Sequence, residues 1–190
     1  MSSDPAPPQS PDEAAALQAA GASHARLSFP EVLTLADVLQ ARLWKIAVAE
    51  SCTGGLLAAS LTELPGSSAW FERGFVTYSN EAKIEQLGVA PQILAEHGAV
   101  SEQVARQMAT GVLAAAQQAN VAVSITGIAG PGGAVPGKPV GTVCFGFAQR
   151  GPDGLLVCAS TRHFDGDRAA VRAASVQYVL RTLALFSAQR

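Results

Sequence analysis

Apolar residues recur along the chain in two patterns, one typical of amphipathic helices and one typical of buried strands. Helical spacing starts near Phe29, with Pro30 suited to a first helical turn. The apolar residues at this spacing are Leu33, Leu35, Val38, Leu39 and Leu43. Residues 45–49 are short and β-branched, which predicts a buried strand, and helical spacing returns over residues 51–64. The folded part therefore begins with a helix followed by a strand-to-helix corner.

The same strand-to-helix unit recurs further along the chain. Residues 75–78 predict a strand that gives way at Ser79 or Asn80, both good helix caps, to a helix through Leu87. The later elements are predicted in this order: a helix at 101–120, a strand at 121–126, strands at 142–148 and 155–161, and a helix from Asp167 to about Phe186.

The order of these elements predicts the fold class. A Gly-Pro-Asp-Gly turn separates the strands at 142–148 and 155–161, so these two strands should form an antiparallel hairpin. Helices that alternate with buried strands predict an α/β fold, a three-layer α/β/α sandwich with a mixed, mostly parallel sheet. Residues 1–28 are rich in Pro, Ala, Ser and Gln, which predicts a disordered tail before one domain at 29–190.

The charge composition of the chain indicates which kind of ligand it binds. Only 15% of the residues are charged and the formal net charge is −2, which argues against nucleic-acid binding and favours a small-molecule site. The chain has no apolar run of about 18 residues that could span a membrane, and its start lacks the features of a secretory signal. We therefore expect a cytoplasmic protein. With so few charges, an apolar surface covered by another subunit is also expected, hence a homo-oligomer.

Polar residues follow three of the predicted strands. These segments are AESCTGG from Ala49, TYSNEAK from Thr77 and TGIAGPGG from Thr126. In open α/β sheets ligands bind outside the carboxyl ends of the strands. If these strands are parallel neighbours, the three segments share one edge of the sheet and form one site.

The first segment holds two candidate nucleophiles at the start of a predicted helix. Free N–H groups there favour an oxyanion, so Ser51 is either a nucleophile or a helix cap. Thr53 would supply a donor, and Gly54 and Gly55 would allow the backbone to approach a substrate closely. Cys52 competes with Ser51 as nucleophile, but none of the three segments contains a histidine to activate it.

A serine without a histidine needs another base. A lysine kept neutral by burial can serve, and Lys83 is the candidate because its segment should face Ser51. Tyr78 at the strand end and Asn80 could orient or relay the proton. The alternative pairs Lys83 with Glu81 or Glu85 on a solvated helix face.

The glycine-rich segment contains a partial phosphate-binding motif. GGAVPGK at 132–138 satisfies G-x-x-x-x-G-K, but Pro139 and a strand follow in place of Ser or Thr and a helix, so a nucleoside triphosphatase is rejected. Its backbone N–H groups could still bind a single phosphate. No His, Cys or carboxylate pair has metal-ligand spacing, and neither a metal nor a cofactor is expected.

Several long motifs together resemble one family. They are residues 49–89, which begin AESCTGGLLAASLTELPGSS, then HGAVSEQVA from His97, SITGIAGPGG and KPVGTV. In the same order they closely resemble the family of the C-terminal domain of the competence/damage-inducible protein CinA, from about Pro30 to Phe186. Stand-alone members are nicotinamide-nucleotide amidohydrolases with a three-layer α/β/α sandwich. The resemblance implies hydrolysis of the carboxamide of nicotinamide mononucleotide to nicotinate mononucleotide and ammonia, a pyridine nucleotide salvage step.

The resemblance also implies catalytic roles. By motif match, the family's nucleophilic serine falls on Ser51 and its assisting lysine and tyrosine on Lys83 and Tyr78. The expected mechanism is acyl transfer through an acyl-enzyme, with N–H groups near Thr53 and Gly54 holding the oxyanion.

The substrate's 5′-phosphate needs donors of its own. We expect them from the loop at 127–133, which contains Gly127 and Gly130, or from a cation such as Arg73 or Lys138. Two other functions remain open: a non-catalytic nucleotide-binding or regulatory module, and an amidase for another amide.

Overall fold

The structure, a computed structural model, describes residues 30–188, with side chains described through residue 183. The tail predicted at 1–28 lies outside the described residues and stays a prediction. The elements are α1 (Pro30–Ala41), β1 (Ile46–Glu50), α2 (Leu56–Thr62), a 3₁₀ turn (Ser67–Ala69), β2 (Phe71–Val76), α3 (Asn80–Leu87), α4 (Pro91–His97), α5 (Glu102–Ala115), β3 (Val121–Gly127), β4 (Thr142–Gly151), β5 (Gly154–His163) and α6 (Arg168–Ala188).

The strands form one mixed sheet in the order β2-β1-β3-β4-β5. β1 lies between β2 and β3 and is parallel to both. β4 is antiparallel to β3 and to β5, which confirms the predicted hairpin and the mixed sheet. The carboxyl ends of β1, β2 and β3 therefore meet at one edge, as the sequence predicted.

Helices cover both faces of the sheet. Because side chains alternate along a strand, Ile46 and Val48 of β1 face one apolar cluster, which includes side chains of α1, α2 and α6. Ala47 and Ala49 face a second cluster, formed with α3, α4 and α5. This arrangement confirms the three-layer α/β/α sandwich. Within residues 30–188, none of the helices is both long enough and apolar enough to cross a membrane.

The structure corrects several predicted elements. Gly54 and Gly55 have φ of 58° and 95°, so residues 51–55 form a turn and α2 begins only at Leu56. β2 begins at Phe71, four residues before the predicted start, since this edge strand carries Glu72 and Arg73, which interrupt the apolar pattern. α4 was not predicted, although Pro91 at its first turn is a helix-start signal.

The first helix buries only part of the predicted apolar set, Leu35 and Leu39 among them. Val32, Leu35, Ala36 and Leu39 are buried, whereas Leu33 is 57% exposed and Leu43, beyond the helix end, is 91% exposed. The helix itself and its start at Pro30 agree with the prediction.

Candidate active site

A cavity of about 250 Å³ lies where the carboxyl ends of β1, β2 and β3 meet, and all three predicted segments line it. The lining residues are Ser51, Cys52, Tyr78, Lys83, Ala99, Val100, Thr126, Gly127, Ile128, Ala129, Gly130, Gly132, Gly133 and Arg168. The convergence of the three strand ends, inferred from the sequence, is thus present in the fold.

Ser51 occupies the first position after β1. Its N–H donates to the carbonyl of Ile125 in β3 (2.9 Å), and its own carbonyl accepts from the N–H of Gly54 (3.1 Å). The side chain is buried but lines the cavity. These backbone contacts hold Ser51 at the end of β1, the strand between β2 and β3, with its hydroxyl at the wall of the cavity.

Lys83 comes from the first turns of α3 and points inward, not onto a solvated face. The residue is only 1% exposed and is among the largest of the fully buried side chains. Its Nζ lies 3.2 Å from Ser51 Oγ. Burial lowers the pKa of Lys83, while the nearby Cys52 and Glu81 act in the opposite direction to a smaller extent. The alternative in which Lys83 sits on a solvated helix face is wrong.

Backbone carbonyls surround the other side of the Lys83 amine. The carbonyl oxygens of Thr77 (2.8 Å), Tyr78 (3.2 Å) and Ser79 (3.3 Å) all lie within hydrogen-bond distance of Nζ. A neutral amine has two N–H bonds and one lone pair. A neutral Lys83 can direct its two N–H bonds to two of these three carbonyls and its lone pair to Ser51 Oγ, 3.2 Å away, which is the geometry a general base requires.

Cys52 also lines the cavity, but its thiol is a poor nucleophile. The residue is 5% exposed, and burial raises the pKa of Cys52 to about 11. The thiol therefore stays protonated near neutral pH, and the reactive form of cysteine is the thiolate. The structure favours Ser51 over Cys52.

The Tyr78 side chain contacts a residue that sequence reasoning missed. Its hydroxyl accepts a hydrogen bond from Arg168 Nη2 (3.1 Å), whereas Tyr78 contacts Lys83 through its backbone carbonyl. Arg168 Nη1 also donates to the carbonyl of Gly130 (2.9 Å). The only sequence signal for Arg168 was its position directly after Asp167, the predicted cap of α6. The Asp167 carboxylate does cap this helix, since it accepts from the N–H of Ala170.

Three predicted substrate-binding residues near Ser51 do not line the cavity. Thr53 is fully buried, and its carbonyl accepts from Arg172 Nη2 (2.8 Å). The N–H of Gly54 bonds to Ser51, and that of Gly55 bonds to Glu50 Oε2 (3.1 Å). The expectation that the N–H of Gly54 holds the oxyanion is therefore wrong, because the turn itself uses that N–H, and the close approach expected at Gly54 and Gly55 is not seen at the cavity.

The predicted cations are also outside the cavity. Arg73 pairs in register with Ala47, away from the strand end, and forms an ion pair with Glu72 (2.6 Å). Lys138 Nζ donates to the carbonyl of His97 (2.7 Å) and lines a second cavity of about 360 Å³. Asn80 is exposed at the first position of α3 and does not line the cavity, since Ser79 is the cap.

Gly127 and Gly130 are the predicted substrate-binding residues that do line the cavity. A Cβ at Gly127 would lie 2.9 Å from the carbonyl oxygen of Thr142, so only glycine fits between the strands there. Gly130 has φ of 84° and closes the loop towards Arg168.

Titratable groups do not cluster into a metal site in the part of the chain that the structure describes. No group of three or more His, Cys, Asp or Glu side chains among residues 30–188 is arranged to hold a metal ion.

Comparison with known proteins gives one consistent family. The model of the CinA C-terminal domain matches residues 31–186. The nicotinamide-nucleotide amidohydrolase PncC of Enterobacter agglomerans is 57% identical over 144 residues, which cover 76% of this chain and 85% of that protein. The protein of the same name from Escherichia coli K12 is 54% identical over 149 residues, 77% of this chain and 87% of its own length.

Solved structures of CinA superfamily proteins have a similar fold. A CinA superfamily protein of Klebsiella pneumoniae 700603 superposes with a TM-score of 0.79 at 39% identity, over 85% of this chain and 98% of the other. The competence/damage inducible protein CihA of Agrobacterium tumefaciens superposes with a TM-score of 0.76 at 42% identity, again over 85% and 98%.

Proposed function

The chain belongs to the CinA C-terminal domain family, and from that premise we propose that it hydrolyses the carboxamide of nicotinamide mononucleotide to nicotinate mononucleotide and ammonia. The relatives named as nicotinamide-nucleotide amidohydrolases support this activity, since they match most of the chain at more than half identity. One observation carries the proposal: the buried Lys83 amine lies 3.2 Å from Ser51 Oγ at the wall of the cavity.

The first step forms an acyl-enzyme. Ser51 Oγ bonds to the carboxamide carbon while its proton moves to Lys83 Nζ, which gives a tetrahedral oxyanion. The C–N bond then breaks, the proton on Lys83 passes to the departing nitrogen, and ammonia leaves. The nicotinoyl group remains on Ser51 as an ester, and Lys83 is again neutral.

The second step releases the product. A water molecule in the cavity gives a proton to Lys83 and bonds to the ester carbon. The C–O bond to Ser51 breaks and Oγ recovers the proton from Lys83. The acid formed ionises at neutral pH to nicotinate mononucleotide, so one water is consumed and one ammonia is released per turnover.

The oxyanion needs a donor that the turn has not already used. Since Gly54 and Gly55 donate inside the turn, the donor that we propose is the backbone N–H of Cys52, the residue after the nucleophile and itself part of the cavity wall. Losing such a donor costs about 10²–10³ in rate in enzymes where it has been removed.

Arg168 replaces Arg73 and Lys138 as the proposed partner of the substrate phosphate. It is the arginine that lines the cavity, and it stays exposed while its Nη atoms bond Gly130 and Tyr78. The guanidinium has five N–H donors, so donors remain for a phosphate. Tyr78 and Gly127 would form the walls beside the pyridine ring and the ribose.

The test is ammonia release by the purified protein from nicotinamide mononucleotide, with the product identified by chromatography as nicotinate mononucleotide. Ser51→Ala and Lys83→Met should each abolish release, while circular dichroism shows an unchanged fold. Tight binding of the nucleotide without product would favour a non-catalytic module. Ammonia from other amides but not from this nucleotide would favour an amidase of other specificity.

A further inference from the structure

A carboxylate lies next to the proposed nucleophile, and no step of the mechanism uses it. Glu50 is the last residue of β1 and is only 1% exposed. It alternates with Ala49 along the strand, so it points to the same face of the sheet as Val48, towards the apolar cluster that contains α2. Burial of a carboxylate is costly unless it is hydrogen-bonded.

The Glu50 carboxylate is satisfied by the start of α2. Oε2 accepts from the N–H groups of Gly55 (3.1 Å) and Leu57 (3.0 Å), and Oε1 accepts from the N–H of Ala58 (2.8 Å). These are donors that a helix start leaves without intrahelical partners, and the cap residue Gly55 has no side chain to accept them. The strand therefore caps the helix that follows it, across the turn that carries Ser51.

The backbone of Glu50 makes the second connection. Its carbonyl accepts from the N–H of Thr77 (2.8 Å), and the carbonyl of Thr77 accepts from Lys83 Nζ (2.8 Å). One residue is thus bonded to the turn of the proposed nucleophile through its side chain and to the segment of the proposed base through its main chain.

We propose that Glu50 is a positioning residue for the acyl transfer: its carboxylate fixes the turn at 51–55 so that Ser51 Oγ stays within reach of Lys83 Nζ. This inference rests on the proposed function. The carboxylate also takes up the N–H groups at the start of α2, so the substrate's negative charge must be held elsewhere in the cavity.

Glu50→Gln tests the proposal, because the amide keeps the size of the side chain but turns an NH₂ group towards N–H donors. We expect kcat to fall about 100-fold, the loss typical of a misplaced reacting group, with KM for nicotinamide mononucleotide changed less than about threefold. The rate of covalent labelling of Ser51 by a fluorophosphonate should fall in parallel. That reaction needs no pyridine nucleotide, so it reports on Ser51 even if nicotinamide mononucleotide is not the substrate.

Asn120→Ala is the matched control. Asn120 Oδ1 accepts from the N–H of Lys45 (2.8 Å) at the opposite edge of the sheet, so this variant also removes a side-chain bond to a backbone N–H. It should lower the melting temperature without changing kcat or the labelling rate. An equal loss of kcat in both variants would show that kcat follows stability alone and would overturn the proposal.

A second variant and a measurement on the unmodified protein cover the case in which Glu50→Gln does not fold. Glu50→Asp keeps the charge but is one methylene shorter, and it should lose part of the kcat. In the unmodified protein, the amide protons of Leu57 and Ala58 should exchange slowly with solvent. Rapid exchange at these two amides, or a folded Glu50→Gln variant with kcat and labelling rate within about twofold of the original, would overturn the proposal.

Discussion

Arg168 and Tyr78 are 90 residues apart in the chain, yet Nη2 of the arginine donates to the tyrosine hydroxyl at 3.1 Å. The same guanidinium donates to the carbonyl of Gly130 at 2.9 Å. Arg168 therefore connects the segment after β2 with the loop after β3, and it brings the start of α6 to the cavity. Arg168 thus brings to the cavity a guanidinium, a group that none of the three strand-end segments contains.

Arg168→Gln should raise KM for nicotinamide mononucleotide by about 10- to 100-fold, since a hydrogen bond to a charged group contributes about 1.5–3 kcal/mol. Nicotinamide riboside is the same substrate without its phosphate. A comparison of the two substrates therefore separates the contribution of the phosphate to KM from that of the nicotinamide and the ribose. With the riboside, the original protein and the variant should have similar KM values. Steady-state kinetics with both substrates measure the difference.

Arg168→Lys is the control for charge alone, since lysine keeps the charge but not the two-pronged geometry. We expect an intermediate KM. An equal loss with the mononucleotide and the riboside would contradict the role of Arg168 in phosphate binding and indicate that it only holds Tyr78 and Gly130 in place.

Tyr78→Phe distinguishes two roles of the tyrosine. General acid–base assistance by the hydroxyl predicts a loss of kcat of about 10²–10⁴. Because the hydroxyl contacts Arg168 and its contact with Lys83 is through the backbone, we expect a small change in kcat and a several-fold rise in KM. A large loss of kcat at unchanged KM would restore the tyrosine to the proton transfer.

The sequence predicted that the three strand ends come together at one cavity better than it predicted the boundaries of the elements. Ser51 and Lys83 could be nominated because each follows a recognisable strand or cap, and strand ends in a parallel sheet share one edge. Arg168 could not be, since nothing local shows that a helix beginning 90 residues after Tyr78 returns to the same edge. Gly55 was misassigned to the helix because the apolar spacing of 51–64 was followed in preference to the turn signal of two adjacent glycines.

Two expectations from composition stay predictions. The homo-oligomer was inferred from the low charge, and the exposed residues Leu155, Leu156 and Val157 on the edge strand β5 are where a subunit contact would be sought. The cytoplasmic location also stays a prediction.

The lowered pKa of Lys83 gives the reaction a pH dependence. Lys83 must be neutral to accept a proton, so kcat/KM should rise with pH through the Lys83 pKa, with a midpoint below the ordinary lysine value of 10.5 because of burial. Stability should change in the same direction. Between the lowered pKa and 10.5 the unfolded chain binds more protons at this residue than the folded one, so the free energy of unfolding rises with pH.

Lys83→Met provides the control for the stability effect, since methionine is similar in length and carries no charge. Denaturant unfolding at a series of pH values should show a smaller slope in this variant over that window. An unchanged slope would mean that Lys83 is not neutral in the folded protein.

Cys52→Ala should retain most of the ammonia release, because the pKa of Cys52 is raised to about 11 and the thiol is protonated near neutral pH. A loss of activity in Cys52→Ala as complete as that in Ser51→Ala would instead identify the thiol as the nucleophile.

The exposure of the cysteines also predicts their order of alkylation. Iodoacetamide should modify the exposed Cys158 before the buried Cys52 and Cys144, and mass spectrometry of the peptides gives the order of labelling.

Gly111→Ala should destabilise the fold even though alanine is the better helix former by about 1 kcal/mol. Gly111 lies in α5, and a Cβ there would collide with the backbone carbonyl of Leu87 at the end of α3. A backbone carbonyl cannot swing aside as the end of a side chain can, so overpacking should dominate, with a net loss of about 1–3 kcal/mol. Gly132→Ala is the control, because no atom lies within 4 Å of its Cβ position; its free energy of unfolding should change by less than about 0.5 kcal/mol. Urea unfolding of both variants measures the difference, and a Gly111→Ala protein as stable as the original would show that α5 can move away from α3 at little cost.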